Sequence, residues 1–89
     1  MIDRYVHRCR VDEDGLVVAL SCRSSSWSPR SVPAVIEDLE SGRFRYLVDW
    51  ESGTEEVHLS PDPRALGRQV LDVRSPDGRP GGLAQLPLG

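Results

Sequence analysis

The stretch Ser31-Val-Pro-Ala-Val-Ile-Glu-Asp-Leu-Glu-Ser-Gly42 decides the fold, because no other part of the chain has a helical pattern. Its apolar residues recur at i, i+3, i+4 and i+7, which places Val32, Val35, Ile36 and Leu39 along one side of a helix. Ser31 is a favourable N-cap, and a glycine at position 42 suits the left-handed conformation that commonly ends a helix. The sequence therefore predicts one helix between Ser31 and Gly42.

The polar side of this helix carries three acidic residues, Glu37, Asp38 and Glu40. Negative charge in the C-terminal half of a helix opposes the helix dipole by a few tenths of a kcal/mol for each residue. Arg43 and Arg45 follow the helix and can offset this charge through local ion pairs worth about 0–1 kcal/mol each. We therefore expect an ordinary solvated face.

The segments on both sides of the helix alternate between apolar and polar residues, which is typical of strands. Residues 4–11 and 16–23 flank Asp12-Glu13-Asp14-Gly15, an Asp-Gly turn signal that predicts a hairpin. Residues 43–50, 54–59 and 69–73 predict three further strands. The order ββαβββ indicates an α+β fold, a single small domain over residues 1–74 in which one helix packs across a mostly antiparallel sheet.

Side-chain alternation divides the hairpin into two faces. The predicted core face holds Tyr5, His7, Cys9, Val11, Leu16, Val18, Leu20 and Cys22. The outer face carries four arginines, Arg4, Arg8, Arg10 and Arg23. The predicted core of the whole domain consists of Val11, Leu16, Val18, Leu20, Val35, Ile36, Leu39, Tyr46, Val48, Val57, Leu59 and Leu71.

The helix with its Ser-Gly end, the aromatic strand that follows it (Phe44, Tyr46) and the ending Leu83-Ala-Gln-Leu-Pro87 resemble an uncharacterised family of small bacterial proteins. That family is known only as a domain of unknown function. The chain departs from the family pattern at Gly81-Gly82, where a polar Asp-Asn pair is usual, and at Leu71-Asp72, where an aromatic-Leu pair is usual. The resemblance implies that the Pro/Gly-rich segment 75–89 packs back on the sheet through Leu83 and Leu86. It implies no function.

Composition narrows the class of protein. The 89 residues suffice for one domain, and no apolar run approaches the ~20 residues of a membrane span. The N-terminus lacks the apolar region of a signal peptide and the chain has only two cysteines, so we expect a cytoplasmic protein. The net charge of −3 argues against general affinity for nucleic acid, although residues 31–63 hold eight acids against two arginines and both flanking regions are mildly basic.

Catalytic, metal and cofactor sites are not predicted. The predicted core face holds His7, Cys9 and Cys22, and His58 could complete a zinc site with them. The chain has no zinc-binding spacing, however, and a cysteine on an apolar face behaves as a small buried hydrophobic residue. Cys9 and Cys22 are not opposite each other in the hairpin, so no disulfide is expected. No nucleophile elbow or phosphate-binding loop is present, and the sequence therefore favours a non-enzyme.

The aromatic residues allow two interpretations. The strand–turn–strand from Tyr46 to Leu59 is similar to that of Tudor and chromo-type barrels, where aromatics form a cage for methylated cations. One side of the predicted strand carries Phe44, Tyr46 and Trp50, but it also carries Val48. Because a strand packed beneath a helix gives the same pattern, we favour the interpretation that these aromatic residues belong to the core. Trp27 lies in a polar loop and either folds back over the helix or contacts a partner.

The candidate binding residues are therefore Arg4, Arg8, Arg10, Arg23 and Trp27. Either the acidic middle of the chain covers the arginines, within one molecule or between two copies, or the arginines stay open and bind an anionic partner. The first hypothesis for function is a non-catalytic protein-interaction module, with self-association as one form. The alternatives are a small protein that binds nucleic acid or another polyanion, and an enzyme whose residues are not recognised.

Overall fold

The computed structural model describes residues 1–14, 16–22, 26–62 and 66–87. In this part of the chain, one α-helix and a short 3₁₀ helix are combined with eight short strands in mostly antiparallel sheets, which confirms the predicted α+β domain. The elements are β1 (Ile2–Tyr5), β2 (Arg8–Val11), β3 (Val17–Ser21), β4 (Arg30–Ser31), α1 (Val32–Ser41), β5 (Phe44–Trp50), β6 (Gly53–Glu56), β7 (His58–Pro61), β8 (Gln69–Asp72) and the 3₁₀ helix η1 (Gly82–Gln85).

The helix begins and ends where its sequence predicts. The Ser31 hydroxyl accepts a hydrogen bond from the Ala34 N–H at 3.4 Å, as an N-cap does. Gly42 has a φ of 72° and its N–H donates to the Leu39 carbonyl, which satisfies one of the last carbonyls of the helix. Val35, on the inner side of the helix, is fully buried.

The strands form three small sheets instead of one, ordered β1–β5–β6, β2–β3–β4 and β7–β8. The division arises because extended segments change partners along their length. The Val6 N–H donates to the Leu47 carbonyl, continuing the parallel pairing of β1 with β5, whereas the His7 N–H donates to Ser21 of β3. The Val57 N–H likewise bonds to Tyr46 before β7 pairs with β8.

The change of partner at residues 6 and 7 reverses the predicted faces of the first segment. Val6 was expected on the outer face but is fully buried, whereas Tyr5 and His7 were expected in the core but are exposed. Further along, Cys9 lies opposite Leu20 and both are fully buried, as the hairpin alternation predicts. The predicted faces of the hairpin are therefore wrong before the change of strand partner at residues 6 and 7 and correct just after it.

The core prediction also fails at the tip of the hairpin. Arg10 pairs with Ala19 but Val11 pairs with Val17, so Val18 is an extra residue that interrupts the alternation. Val11, Leu16 and Val18 are 37%, 42% and 42% exposed, because the tip extends beyond the core. These three residues are corrections to the predicted core.

The remaining predicted core is largely confirmed. Leu20, Val35, Tyr46, Val48 and Val57 are fully buried, while the other predicted members, Ile36, Leu39, Leu59 and Leu71, are half-buried.

The C-terminal segment also contributes to the core. Leu83 and Leu86 are 4% and 6% exposed and belong to the main apolar cluster. The Pro87 carbonyl accepts a hydrogen bond from the Cys9 N–H at 3.0 Å, and Gly82 lies so close to Val73 that a Cβ at position 82 would be 2.7 Å from the Val73 oxygen. The described chain contains no helix of the length and apolarity that crossing a membrane requires.

Candidate functional site

Strand β1 leaves one edge of its sheet open. The Ile2 and Val6 N–H groups donate to the Arg43 and Leu47 carbonyls, so the even-numbered residues of β1 direct their backbone groups toward β5. Successive residues of a strand alternate, and the N–H and C=O groups of Asp3 and Tyr5 therefore point away from β5. No described strand pairs with β1 on that side. Among the described residues, the backbone donors and acceptors on this side of β1 therefore have no backbone hydrogen-bond partner.

An open groove of about 790 Å³ runs along this edge. Its lining includes Ile2 and Arg4, whose side chains lie on the helix side of the sheet, and Asp3 and Tyr5, whose side chains lie on the opposite side. Because both sets contribute, the groove follows the edge of the strand and not one of its faces. Trp27, from the segment before β4, is also part of the lining.

Beneath the groove, Asp38 of α1 organises a polar cluster. Asp38 is only 7% exposed, which corrects the expectation of a solvated acidic face. Arg30 donates to both of its carboxylate oxygens, from Nε at 2.5 Å and from Nη2 at 2.9 Å, and the Tyr46 hydroxyl donates to Oδ2 at 2.5 Å. Arg4 Nη1 donates to Asp38 Oδ2 at 3.2 Å and to the Tyr46 oxygen at 2.6 Å.

The protonation states of this cluster follow from its contacts. Burial alone would raise the pKa of Asp38, but the hydrogen bonds from Arg30 and Tyr46, together with the charges of Arg30 and Arg4, outweigh it and lower that pKa. Burial raises the pKa of Tyr46, and its hydrogen bond to the Asp38 carboxylate raises it further. The cluster therefore combines one carboxylate, one neutral phenol and two guanidinium groups, which leaves one net positive charge.

Arg4 lies among three aromatic rings. Its guanidinium carbon is 3.9 Å from the centre of the Phe44 ring, 5.6 Å from that of Tyr46 and 5.7 Å from that of Trp27. Trp27 also meets Tyr46 edge-on at 5.5 Å, so this tryptophan folds back on the protein. An aromatic cage for a cation exists, and the protein's own Arg4 occupies it.

One edge of the Arg4 guanidinium has no hydrogen-bond partner among the residues that the structure describes. Both hydrogen bonds of Arg4 come from Nη1, and within the described residues Nε and Nη2 donate to no protein group. No described buried side-chain nitrogen or oxygen lacks a hydrogen-bond partner, so these two nitrogens reach solvent although the side chain is only 16% exposed. Since Arg4 lines the groove, the free donors are available to a ligand there.

The described arginines of the predicted patch belong to two different sheets. Arg4 belongs to the β1–β5 pair, whereas Arg8 and Arg10 lie on β2 of another sheet, where Arg8 is half-buried and Arg10 is exposed. Arg23 lies outside the described residues. The change of strand partner after Val6 puts Arg4 in one sheet and the two arginines of β2 in another, and Asp38 from the acidic middle of the chain meets only Arg4 of these three in the described contacts.

The two cysteines and His7 lie close to the core and the groove. Cys9 and Cys22 are both buried, and neither forms a disulfide. Burial raises the pKa of Cys9, whose thiol lies 3.4 Å from the Leu83 carbonyl oxygen. Cys22 Sγ lies 3.3 Å from Nδ1 of His7, and both residues line the groove. The described contacts of His7 include no carboxylate that would orient its ring for nucleophilic catalysis, and the described residues contain no cluster of three metal-ligating side chains.

The sequence pattern of acidic residues assigns Asp38 to the solvated face, although a signal for its burial exists. Asp38 lies three residues after Val35 and so shares its side of the helix, which the charge alone concealed.

No protein-family model, curated protein or solved structure matches this chain. The open edge, the groove and Arg4 are therefore the observations from which function is inferred.

Proposed function

We propose that this chain is a non-catalytic protein-interaction module that binds an extended polypeptide segment along the open edge of β1. Unpaired edge strands accept an added strand, whose backbone supplies the hydrogen bonds and whose side chains enter neighbouring pockets. The observation that carries the proposal is the groove beside that edge, with the backbone groups of Asp3 and Tyr5 directed outward. The binding residues are then those of β1 with Trp27, and not an arginine patch.

The surface beside this edge supports the same function. Ile2 and Tyr5 are both exposed, and their side chains lie on opposite sides of the strand. An added strand would cover apolar surface on both sides, at about 25 cal/mol for each Å² removed from water. Trp27 offers one further aromatic contact across the groove.

The cellular setting is part of the proposal. Two cysteines that form no disulfide suit a reducing compartment, and we place the protein in the cytoplasm. We also place it with the uncharacterised bacterial family that its helix and C-terminal motif resemble. The partner is a protein and not nucleic acid, because the chain carries a net charge of −3. A second copy of the chain is one such partner, and size-exclusion chromatography of wild type at increasing concentration would reveal it.

A proline substitution tests the edge directly. Tyr5→Pro removes an outward N–H without removing a hydrogen bond to β5, because the Tyr5 N–H does not face β5. Glu56→Pro is the matched control: the Val57 N–H faces β5, so by alternation the Glu56 N–H points out of the other edge of the same sheet. Tyr5→Thr separates loss of the ring from loss of the N–H.

The assay is selection of random linear 12-residue peptides on immobilised wild type, followed by fluorescence anisotropy with the strongest peptide. We expect Tyr5→Pro to weaken binding at least tenfold more than Tyr5→Thr does, and Glu56→Pro to bind like wild type. Equal affinity for Tyr5→Pro and Tyr5→Thr would refute strand addition at β1. Failure of wild type to select any peptide would refute the proposed function altogether.

A further inference from the structure

We infer that the polypeptide bound in this groove carries a carboxylate, which the free edge of Arg4 receives. This inference rests on the proposed function and adds the chemistry of the ligand. It starts from the charge of the polar cluster beneath the groove, where Arg4 and Arg30 share the single carboxylate of Asp38. Arg30 holds Asp38 with two hydrogen bonds and Arg4 with one, so the uncompensated positive charge belongs mainly to Arg4.

The geometry of the guanidinium supports the same conclusion. Within this protein, Arg30 holds Asp38 and Arg45 holds Asp3, each through its Nε and Nη2 atoms. That pair of donors matches the two oxygens of a carboxylate. In Arg4 the same two atoms have no partner within the described residues, because Nη1 alone makes its hydrogen bonds.

Arg4 is also held in place before a ligand arrives. Phe44 stacks on the guanidinium at 3.9 Å, and the hydrogen bonds of Nη1 to Asp38 and Tyr46 fix its rotation. A group that is already ordered loses little conformational entropy on binding, which favours a specific contact. An arginine that served only to neutralise Asp38 would not need its other donors at the solvent boundary.

The surroundings favour a monoanion over a phosphate. Asp3 and Asp49 line the same groove, and Asp3 is paired with Arg45. Asp49 and the net negative charge of the protein repel any anion, and they repel a phosphate group of nearly two negative charges more strongly than a single carboxylate. The one residual positive charge of the cluster therefore suits a carboxylate better. An acidic side chain and a C-terminal carboxylate share this chemistry, and the experiment distinguishes them.

The test uses the strongest peptide from the selection in three synthetic forms: as selected, with each Asp and Glu replaced by Asn and Gln, and with an amidated C-terminus. The proteins are wild type, Arg4→Gln, Arg4→Lys and the control Arg79→Gln, which removes the same charge from a strongly exposed side chain that does not line the groove. A dT oligonucleotide and inorganic phosphate serve as competitors. Far-ultraviolet circular dichroism confirms that each variant is folded.

We expect loss of the critical carboxylate, whether it belongs to an acidic side chain or to the C-terminus of the peptide, to weaken binding to wild type roughly tenfold or more. Arg4→Gln should bind the acidic and amide forms equally, Arg4→Lys should keep only part of the preference, and Arg79→Gln should match wild type. A purely structural Arg4 would lower the affinity for both forms alike. Whether the side-chain or the C-terminal amide form loses affinity identifies the source of the carboxylate.

Three kinds of result overturn the inference in different ways. Peptides that need the β1 edge but bind equally well without any carboxylate would refute the role of Arg4 and leave the proposed function intact. If no peptide is selected, or if Tyr5→Pro binds as well as Tyr5→Thr, both proposals fail. Displacement of the peptide by phosphate or the oligonucleotide at similar concentrations would assign the site to a polyanion instead.

Discussion

Replacing Asp38 by Asn should be among the most damaging conservative substitutions in this protein. The change removes the charge that Arg30 and Arg4 share while keeping the size of the side chain. Removing one partner of a buried ion pair costs about 3–5 kcal/mol, because the remaining charge stays desolvated. Here the Arg30 side chain is 33% exposed and can regain water, so we expect a loss of about 2–3 kcal/mol.

The assay is urea denaturation followed by tryptophan fluorescence, which reports on Trp27, packed against Tyr46, and on Trp50, packed against the core. A loss of this size corresponds to a fall in Tm of about 8–24 °C for a domain of this length. Glu37→Gln is the matched control, since Glu37 is the exposed neighbour on the same helix and should change stability by less than about 0.5 kcal/mol. If the two variants were equally stable, the reasoning about the cluster would be refuted.

The difference in stability between wild type and Asp38→Asn depends on pH. The pKa of Asp38 in the folded protein lies below its ordinary value of 3.8. The stabilisation from its carboxylate is therefore complete above that value and is lost as the pH falls below 3.8 through the folded pKa. The difference in stability between wild type and Asp38→Asn should shrink over this acid range and stay constant from pH 6 to 8.

Three further predictions concern packing, the helix end and alkaline pH. Leu86→Ala should lose about 2–5 kcal/mol in urea denaturation because Leu86 is buried, whereas Leu66→Ala at a fully exposed position should be nearly neutral. Gly42→Ala should lose about 1–2 kcal/mol in the same assay, since a φ of 72° is unfavourable for residues with a Cβ. In the folded protein the pKa of Tyr46 is raised above 10.0 and that of Cys9 above 9.0. The stability that their protonated forms contribute is therefore complete below these values and is lost as the pH rises through the folded pKa. Tyr46→Phe should accordingly show a weaker decline of Tm between about pH 9 and 11 than wild type.

Local chemistry explains what could be predicted about the fold. The helix carries its own start signal in Ser31, its own end signal in Gly42 and a periodic apolar side, so it needs no information from distant residues. The burial of Cys9 and Leu20 on one face of the hairpin follows from alternation close to a turn. The change of partner after Val6 has no such local mark, because it depends on β5, about forty residues away.

The same limit applies to the candidate site. Arg4 and Trp27 were singled out from the sequence by charge and by an aromatic side chain in a polar loop, and the structure brings them together around Tyr46. Their common neighbour Asp38 was misassigned because a carboxylate is usually solvated, and only its tertiary partners make burial possible. The open edge of β1 could not be predicted, since it follows from a parallel pairing.

Amide hydrogen exchange of β1, with and without the selected peptide, tests the central claim most directly. In the free protein, the Asp3 and Tyr5 amides should exchange rapidly, while the Val6 amide, bonded to Leu47, should be protected. Saturation with peptide should protect Asp3 and Tyr5 and leave Val6 unchanged. Asp3 and Tyr5 amides that exchange equally fast in the free and the peptide-saturated protein would contradict strand addition at this edge.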